Sequence, residues 1–296
     1  MGYVVRTSGR HQVALAALSA AVFGLSSVPL ELQRRIVNDA IKSGTTGIIL
    51  WLAVAYAGVA LLEQILKMAL NVYRGWVSED AVRALRRTLE DVGETEPCER
   101  NAAGTHTAMA VAEAEPIGGF VGMAISEPLL QAGILLSVMG YMAWLEPWTL
   151  LLSVGYLLPQ ALFVPPMQAA INRRAAARIK TLRRVSGDIV ESGTPDEQRI
   201  ERVFALNMGI YKLKFGMNLG MNLMYAFAVA VALGAGGWFA VTGRIDVGTV
   251  VAVVSGLGKL KDPWGDLVSW ARELSVDSVK YRLFVDAVGQ RGLATA

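Results

Sequence analysis

The stretch PWTLLLSVGYLLPQALFVPPMQAAINRRAAARIKTLRRVSGDIVE, Pro147–Glu191, decides the fold. Its first part, Pro147–Asn172, carries no charge. A membrane-spanning helix needs roughly 20 predominantly apolar residues, because each adds about 1.5 Å across a hydrocarbon core of about 30 Å. The second part opens on Arg173 and Arg174, and in it Ala175, Ile179, Leu182, Val185 and Ile189 recur at helical spacing with Arg178, Lys180, Arg183 and Arg184 between them. One helix over the whole stretch is on the order of 65 Å long, about twice the hydrocarbon thickness. Pro159, Pro165 and Pro166 are the expected places for kinks. The segment therefore predicts a helix that crosses a membrane and continues beyond it.

Comparable uncharged runs occupy Gln12–Leu30, Ser43–Leu62, Pro128–Leu145 and Phe215–Gly243, the third preceded by Pro116–Ser126 across the single carboxylate Glu127. A last run, Val247–Gly258, is too short alone and continues through Lys259, Lys261 and Asp262 to Pro263. The reading is one all-α membrane domain over 1–296, with six spans at about 12–34, 45–72, 116–144, 147–172, 214–241 and 247–270. Composition agrees: 53% of residues are apolar, 18% are charged, and the mean hydropathy is +0.41. Arg6 and Arg10 ahead of the first run imitate a signal peptide, but the run is long enough to span and no small-residue cleavage site follows it, so the first helix is expected to be retained.

Basic residues set the expected orientation. Arg74, Arg83, Arg86, Arg87 and Arg100 follow the second span, and a second cluster from Arg173 to Arg202 follows the fourth. The opposite loops are short and nearly bare of charge. Both termini and two long hairpins are thus expected in the cytoplasm of a multi-pass protein, most simply one of a bacterial inner membrane. Ala81, Val82, Leu85, Leu89 and Val92 repeat the helical spacing past the second span. The first hairpin breaks at Gly93–Pro97, and the second at Glu191–Glu197, where Thr194 is placed to cap a short new helix holding Pro195, Asp196 and Glu197 in its first turn.

Several chemistries have little to draw on. Cys98 is the only cysteine, and His11 and His106 are the only histidines, so neither a thiolate cluster nor a histidine-based catalytic site is expected, and no metal. A net charge of +3 gives no reason to expect nucleic acid. The Walker string G-x-x-x-x-G-K-[ST] does not occur; Gly256-Leu257-Gly258-Lys259 is the nearest approach. Trp144, Trp148 and Trp238 read as an interfacial belt.

The order of these features resembles the transmembrane domain of an ABC exporter. Pro29, Ile36 and Asp39-Ala40-Ile41 look like that family's run before the first outer loop, and Leu85-Arg86-Arg87-Thr88-Leu89 looks like its "L-R-x-x-L". Ala112–Phe120 sits where the family carries "D-V-x-x-I", with Glu113 or Glu115 near the place of the missing aspartate. Gly243 and Gly248-Thr249-Val250 look like its glycine-bounded loop before the sixth span, and Pro263 and Arg282 also match. The resemblance implies coupling helices near Glu96–Gly104 and Pro195–Phe204 that touch an ATPase, with Glu96, Pro97, Arg100, Pro195, Asp196, Glu197, Arg199 and Arg202 as coupling residues. It implies a separate nucleotide-binding subunit, ATP and magnesium on that partner, no cofactor in this chain, and a second six-helix subunit in a homo- or heterodimer. No residue is assigned a catalytic role.

Charges inside a membrane cost about 2.5–3.5 kcal/mol each on insertion scales and need a reason. Glu127 and Lys259 are candidates for a substrate pathway, with Asn218, Met221 and Asn222 of the fifth span; Glu63 and Lys261 read as lying near water. The Gly216/Gly220 pair reads as close helix packing. Two other functions remain open: a proton-driven peptide transporter of the same fold with Glu127 carrying the proton, and a non-transporting accessory membrane subunit.

Overall fold

The structure is a computed structural model that describes residues 2–43, 46–93, 115–192, 194 and 196–294. Among the described residues it is all helix: α1 Gly2–Leu25, α2 Val28–Ser43, α3 Thr46–Gly93, α4 over 115–123, α5 Ser126–Leu145, α6 Trp148–Ser192, α7 Glu197–Val241 and α8 Val247–Ala294. Five stretches are long and apolar enough to cross a membrane: Ser8–Asp39, Thr46–Arg87, Glu115–Leu145, Trp148–Leu182 and Glu197–Val241. That is the architecture of an integral membrane protein. The expected sixth span, α8, does not qualify by hydropathy, because Lys259, Lys261, Asp262 and Asp266 interrupt it. Its packing is nevertheless that of a core helix. Val250, Val253, Leu257 and Leu260 are buried along one stripe.

Two compact bodies make up the chain. The first joins Met1–Leu145 to Asp246–Ala296, and the second is Glu146–Ile245. In the first body, Leu15, Val22, Leu70, Val121, Val138 and Leu257 form the fully buried centre. The spanning part of α3 does the reverse and exposes Ile48, Trp51, Val54, Leu61, Ile65 and Met68. An exposed apolar helix face of this kind has lipid as its natural solvent.

The loop before α8 explains two of the glycines in the sequence pattern. Gly243 follows α7 with φ +72°, a left-handed conformation that a residue with a Cβ adopts only at a cost. Gly248 lies so close to α2 that a Cβ would fall 2.3 Å from the Arg34 carbonyl oxygen. That approach lets Asn38 of α2 finish the start of α8. Its Oδ1 accepts from Gly248 N at 2.9 Å, and its Nδ2 donates to Asp246 Oδ2 at 3.4 Å. The first N–H groups of any helix have no partner within it, so the bond from α2 satisfies a buried donor. Asn38→Ala is expected to lower stability by about 1–3 kcal/mol, the cost of a buried donor left unmet; thermal unfolding in detergent measures it.

The second body is one antiparallel hairpin of two long helices, each 45 residues. The partners keep a constant register along it: Trp148 edge-on to Phe239, Tyr156 to Tyr225, Phe163 against Gly220, and Arg178 Nη1 donating to Asn207 Oδ1 at 3.2 Å. The expected long helix is present as α6, with all three prolines inside it. The short helix expected at Pro195–Phe204 is not a separate element. Asp196, not Thr194, is the N-cap, its carboxylate accepting from Gln198 N at 3.0 Å, and α7 then runs unbroken to Val241. No proline interrupts 196–241, and each glycine there costs only about 1 kcal/mol relative to alanine, which a helix of 45 residues tolerates.

Candidate functional site

Two proline breaks shape the first body. Pro29 has no N–H, and Leu30 N turns to the Ser27 carbonyl at 3.1 Å, so the carbonyl of Ser26 is left without its helical donor. Lys259 Nζ of α8 donates to it at 2.8 Å. Pro128 likewise has no N–H for the Ala124 carbonyl, and there the Trp270 indole of α8 donates at 3.2 Å. The same helix thus caps both breaks. This explains why α8 carries a lysine and a tryptophan eleven positions apart.

Between the breaks, α3, α5 and α8 wall a cavity of about 500 Å³. Glu63, Lys67, Asn71 and Arg74 bring one face of α3 to it, at spacings of four, four and three. Lys259, Asp262 and Asp266 do the same on α8, and Glu127 and Gln131 on α5. Glu63, only 5% exposed, accepts from Lys67 Nζ at 2.7 Å and lies 3.4 Å from Lys259 Nζ. Arg74, 7% exposed, is ion-paired with Glu127, and its Nε donates to Ser126 Oγ at 2.8 Å. Gln131 Nε2 bridges two carboxylates, Glu127 Oε1 at 2.8 Å and Asp266 Oδ2 at 3.0 Å.

The charges are segregated. Near Ser26, two ammonium groups share the one carboxylate of Glu63. Toward Trp270, Glu127 and Asp266 stand on one bridging amide, with Asp262 on the same wall and Arg74 as the cation paired to Glu127. Neither Asp262 nor Asp266 makes an ion pair among the described residues. Paired charges are tolerated at membrane depth far better than lone ones, and such groups mark substrate or ion pathways.

Of the expected pathway residues, Glu127 and Lys259 come together here. Asn218, Met221 and Asn222 belong to the second body, on α7, with both asparagines exposed and Met221 half-buried. Sequence reasoning placed Glu63 near water, whereas it is among the most buried charged groups described. It also passed over Lys67, Arg74, Gln131 and Asp266 as pathway residues. The missed signal was spacing. Polar residues at i, i+4, i+8 and i+11 on α3, and at i, i+3 and i+7 on α8, put one charged face on each helix.

Of the coupling residues, Glu96, Pro97, Arg100 and Pro195 lie outside the described residues. Asp196, Arg199 and Arg202, with Lys180 and Arg184, line a recess of about 430 Å³ between α6 and α7. Arg199 Nε lies 3.4 Å from Asp196 Oδ2, and Glu197 is exposed in the first turn of α7. The recess carries four cations against one carboxylate. No family model matches the chain, and no curated protein matches it.

Proposed function

We propose that this chain is the membrane-spanning permease subunit of an ATP-driven exporter of the ABC type, with its ATPase on a separate chain. The observation that carries the reading is the charged cavity walled by α3, α5 and α8 within an otherwise apolar bundle. A purely structural bundle has little use for seven ionisable groups around one void. The long helices support the ATP-driven form. α3, α6 and α7 hold 48, 45 and 45 residues, more than a bilayer requires, so they extend into water where a partner can act on them. The basic recess at Arg199 and Arg202 is a suitable point of attachment. The sequence holds no phosphate loop, so ATP and magnesium belong to the partner in this reading. A second six-helix subunit would complete the pathway, with hairpins and termini cytoplasmic.

Purification from native membranes tests it. A polypeptide with Walker motifs should co-purify in stoichiometric amount, and Arg199→Glu together with Arg202→Glu should abolish the association while leaving the unfolding temperature unchanged. Solute flux by the protein alone in liposomes, lost on collapse of a proton gradient, would instead establish the proton-driven alternative. One observation favours that second reading: four carboxylates, Glu63, Glu127, Asp262 and Asp266, share a single cavity. Association with a partner whose ATPase activity is indifferent to both substitutions would mark an accessory subunit.

A further inference from the structure

We propose that the cavity takes a small zwitterion, a molecule with a free ammonium group and a free carboxylate separated by about 10 Å or less. This deepens the reading of the cavity as a substrate site and rests on it.

The two ends of the cavity carry unequal charge. At one end Lys67 and Lys259 share Glu63, so one positive charge is in surplus. At the other end Arg74 balances Glu127, while Asp262 and Asp266 have no ion-pair partner among the described residues. Gln131 cannot supply one. Its amide holds Glu127 and Asp266 in place, with Nε2 at 2.8 and 3.0 Å, but contributes no charge. The surplus charges have opposite sign and lie on the same helix faces.

Helix geometry fixes their separation. Lys259 and Asp266 are seven residues apart on α8, which is two turns, or about 10 Å along the axis. Lys67 and Arg74 have the same seven-residue spacing on α3, so the wall changes character over the same length. An occupant with only a positive group satisfies Asp262 and Asp266 and leaves the lysine surplus uncompensated. An occupant with only a negative group does the opposite. A zwitterion with its carboxylate toward Lys67 and Lys259 and its ammonium between Asp262 and Asp266 cancels the lysine surplus and halves the aspartate surplus, acting at both ends at once. The apolar side chains of Met123, Leu130 and Ile134 line the same cavity and suit a methylene chain between the two groups.

The test is calorimetric titration of the purified full chain in detergent with aminohexanoate and aminooctanoate, against hexanoate and hexylamine. Saturable binding of a zwitterion at least tenfold tighter than either singly charged analogue is the expected result. Asp262→Asn together with Asp266→Asn should remove the preference over hexanoate, and Lys67→Gln the preference over hexylamine. Asp262 and Asp266 are exposed and Lys67 is half-buried, and an unchanged melting temperature certifies the variants as folded. Equal binding of hexylamine and the zwitterions overturns the proposal in favour of a cation site. No binding of any of the four compounds overturns it as well. Either failure leaves co-purification of an ATPase unaffected, so this inference and the transport reading are separable.

Discussion

Arg74→Met, made alone, is expected to destabilise the first body by about 3–5 kcal/mol, the usual cost of removing one partner from a buried ion pair. A chain of ordinary stability, about 5–15 kcal/mol, loses much of its margin by such a change. The guanidinium serves two neighbours at once. It neutralises Glu127 and donates through Nε to Ser126 Oγ, which in turn donates to the Gly122 carbonyl at 2.8 Å. Without it Glu127 faces Asp262 and Asp266 across the cavity, and three carboxylates have only an amide among them. The expected readout is a lowered unfolding temperature in detergent and a loss of the monodisperse peak on size exclusion. The pair Arg74→Met with Glu127→Gln should recover most of the loss, because replacing both members of a buried pair is far less costly than removing one. Failure of Arg74→Met to destabilise would show the pair to be solvated in the membrane-embedded protein.

Five of the six expected spans and the length of α6 were legible in the sequence because both rest on hydropathy and on 3.6-residue periodicity. The stretch Pro147–Glu191 was read as a single helix, and α6 is one, at Trp148–Ser192. The start of α7 was misread for a local reason. Thr194 and Asp196 are both good caps, and Pro195 suits either the first turn of a helix or the residue before it. Only the observed bond from Gln198 N decides between them. The site was half legible. Glu127 stood out because apolar residues flank it for a long way on both sides, and Lys259 because it interrupts a short apolar run. Glu63 and Arg74 did not stand out, because at the end of a hydrophobic stretch a charge is equally consistent with an exit into water. Which end of a long helix is buried depends on what packs beside it, and α8 comes from the other end of the chain.

A close helix contact was also missed, and it yields the second large effect. Sequence reasoning took Gly216 and Gly220 as the packing pair, yet a Cβ on Gly216 would meet nothing nearer than Met167 Cε at 3.9 Å, and one on Gly220 the Phe163 ring at 3.3 Å. The tight pair is Gly118 and Gly122 of α4, which has the same four-residue spacing. A Cβ on Gly122 would fall 2.3 Å from the Arg74 carbonyl oxygen and 2.5 Å from Ser78 Oγ. The first of these is backbone and cannot rotate away, so the two helices must separate. Gly122→Ala is therefore expected to cost about 3 kcal/mol, the upper part of the range for overpacking. It would also disturb the Arg74–Ser126–Gly122 chain of hydrogen bonds beside the cavity. Gly119 supplies the control. Its added Cβ meets nothing within 4 Å, and its carbonyl keeps the bond from Ser78 Oγ at 2.8 Å. Alanine is the better helix former by roughly 1 kcal/mol, so Gly119→Ala should be neutral or stabilising. Opposite signs for two glycine-to-alanine changes three residues apart, read by thermal unfolding in the same detergent, would fix the α3–α4 contact at Gly122. Equal small effects would mean that the helices are further apart than the structure places them.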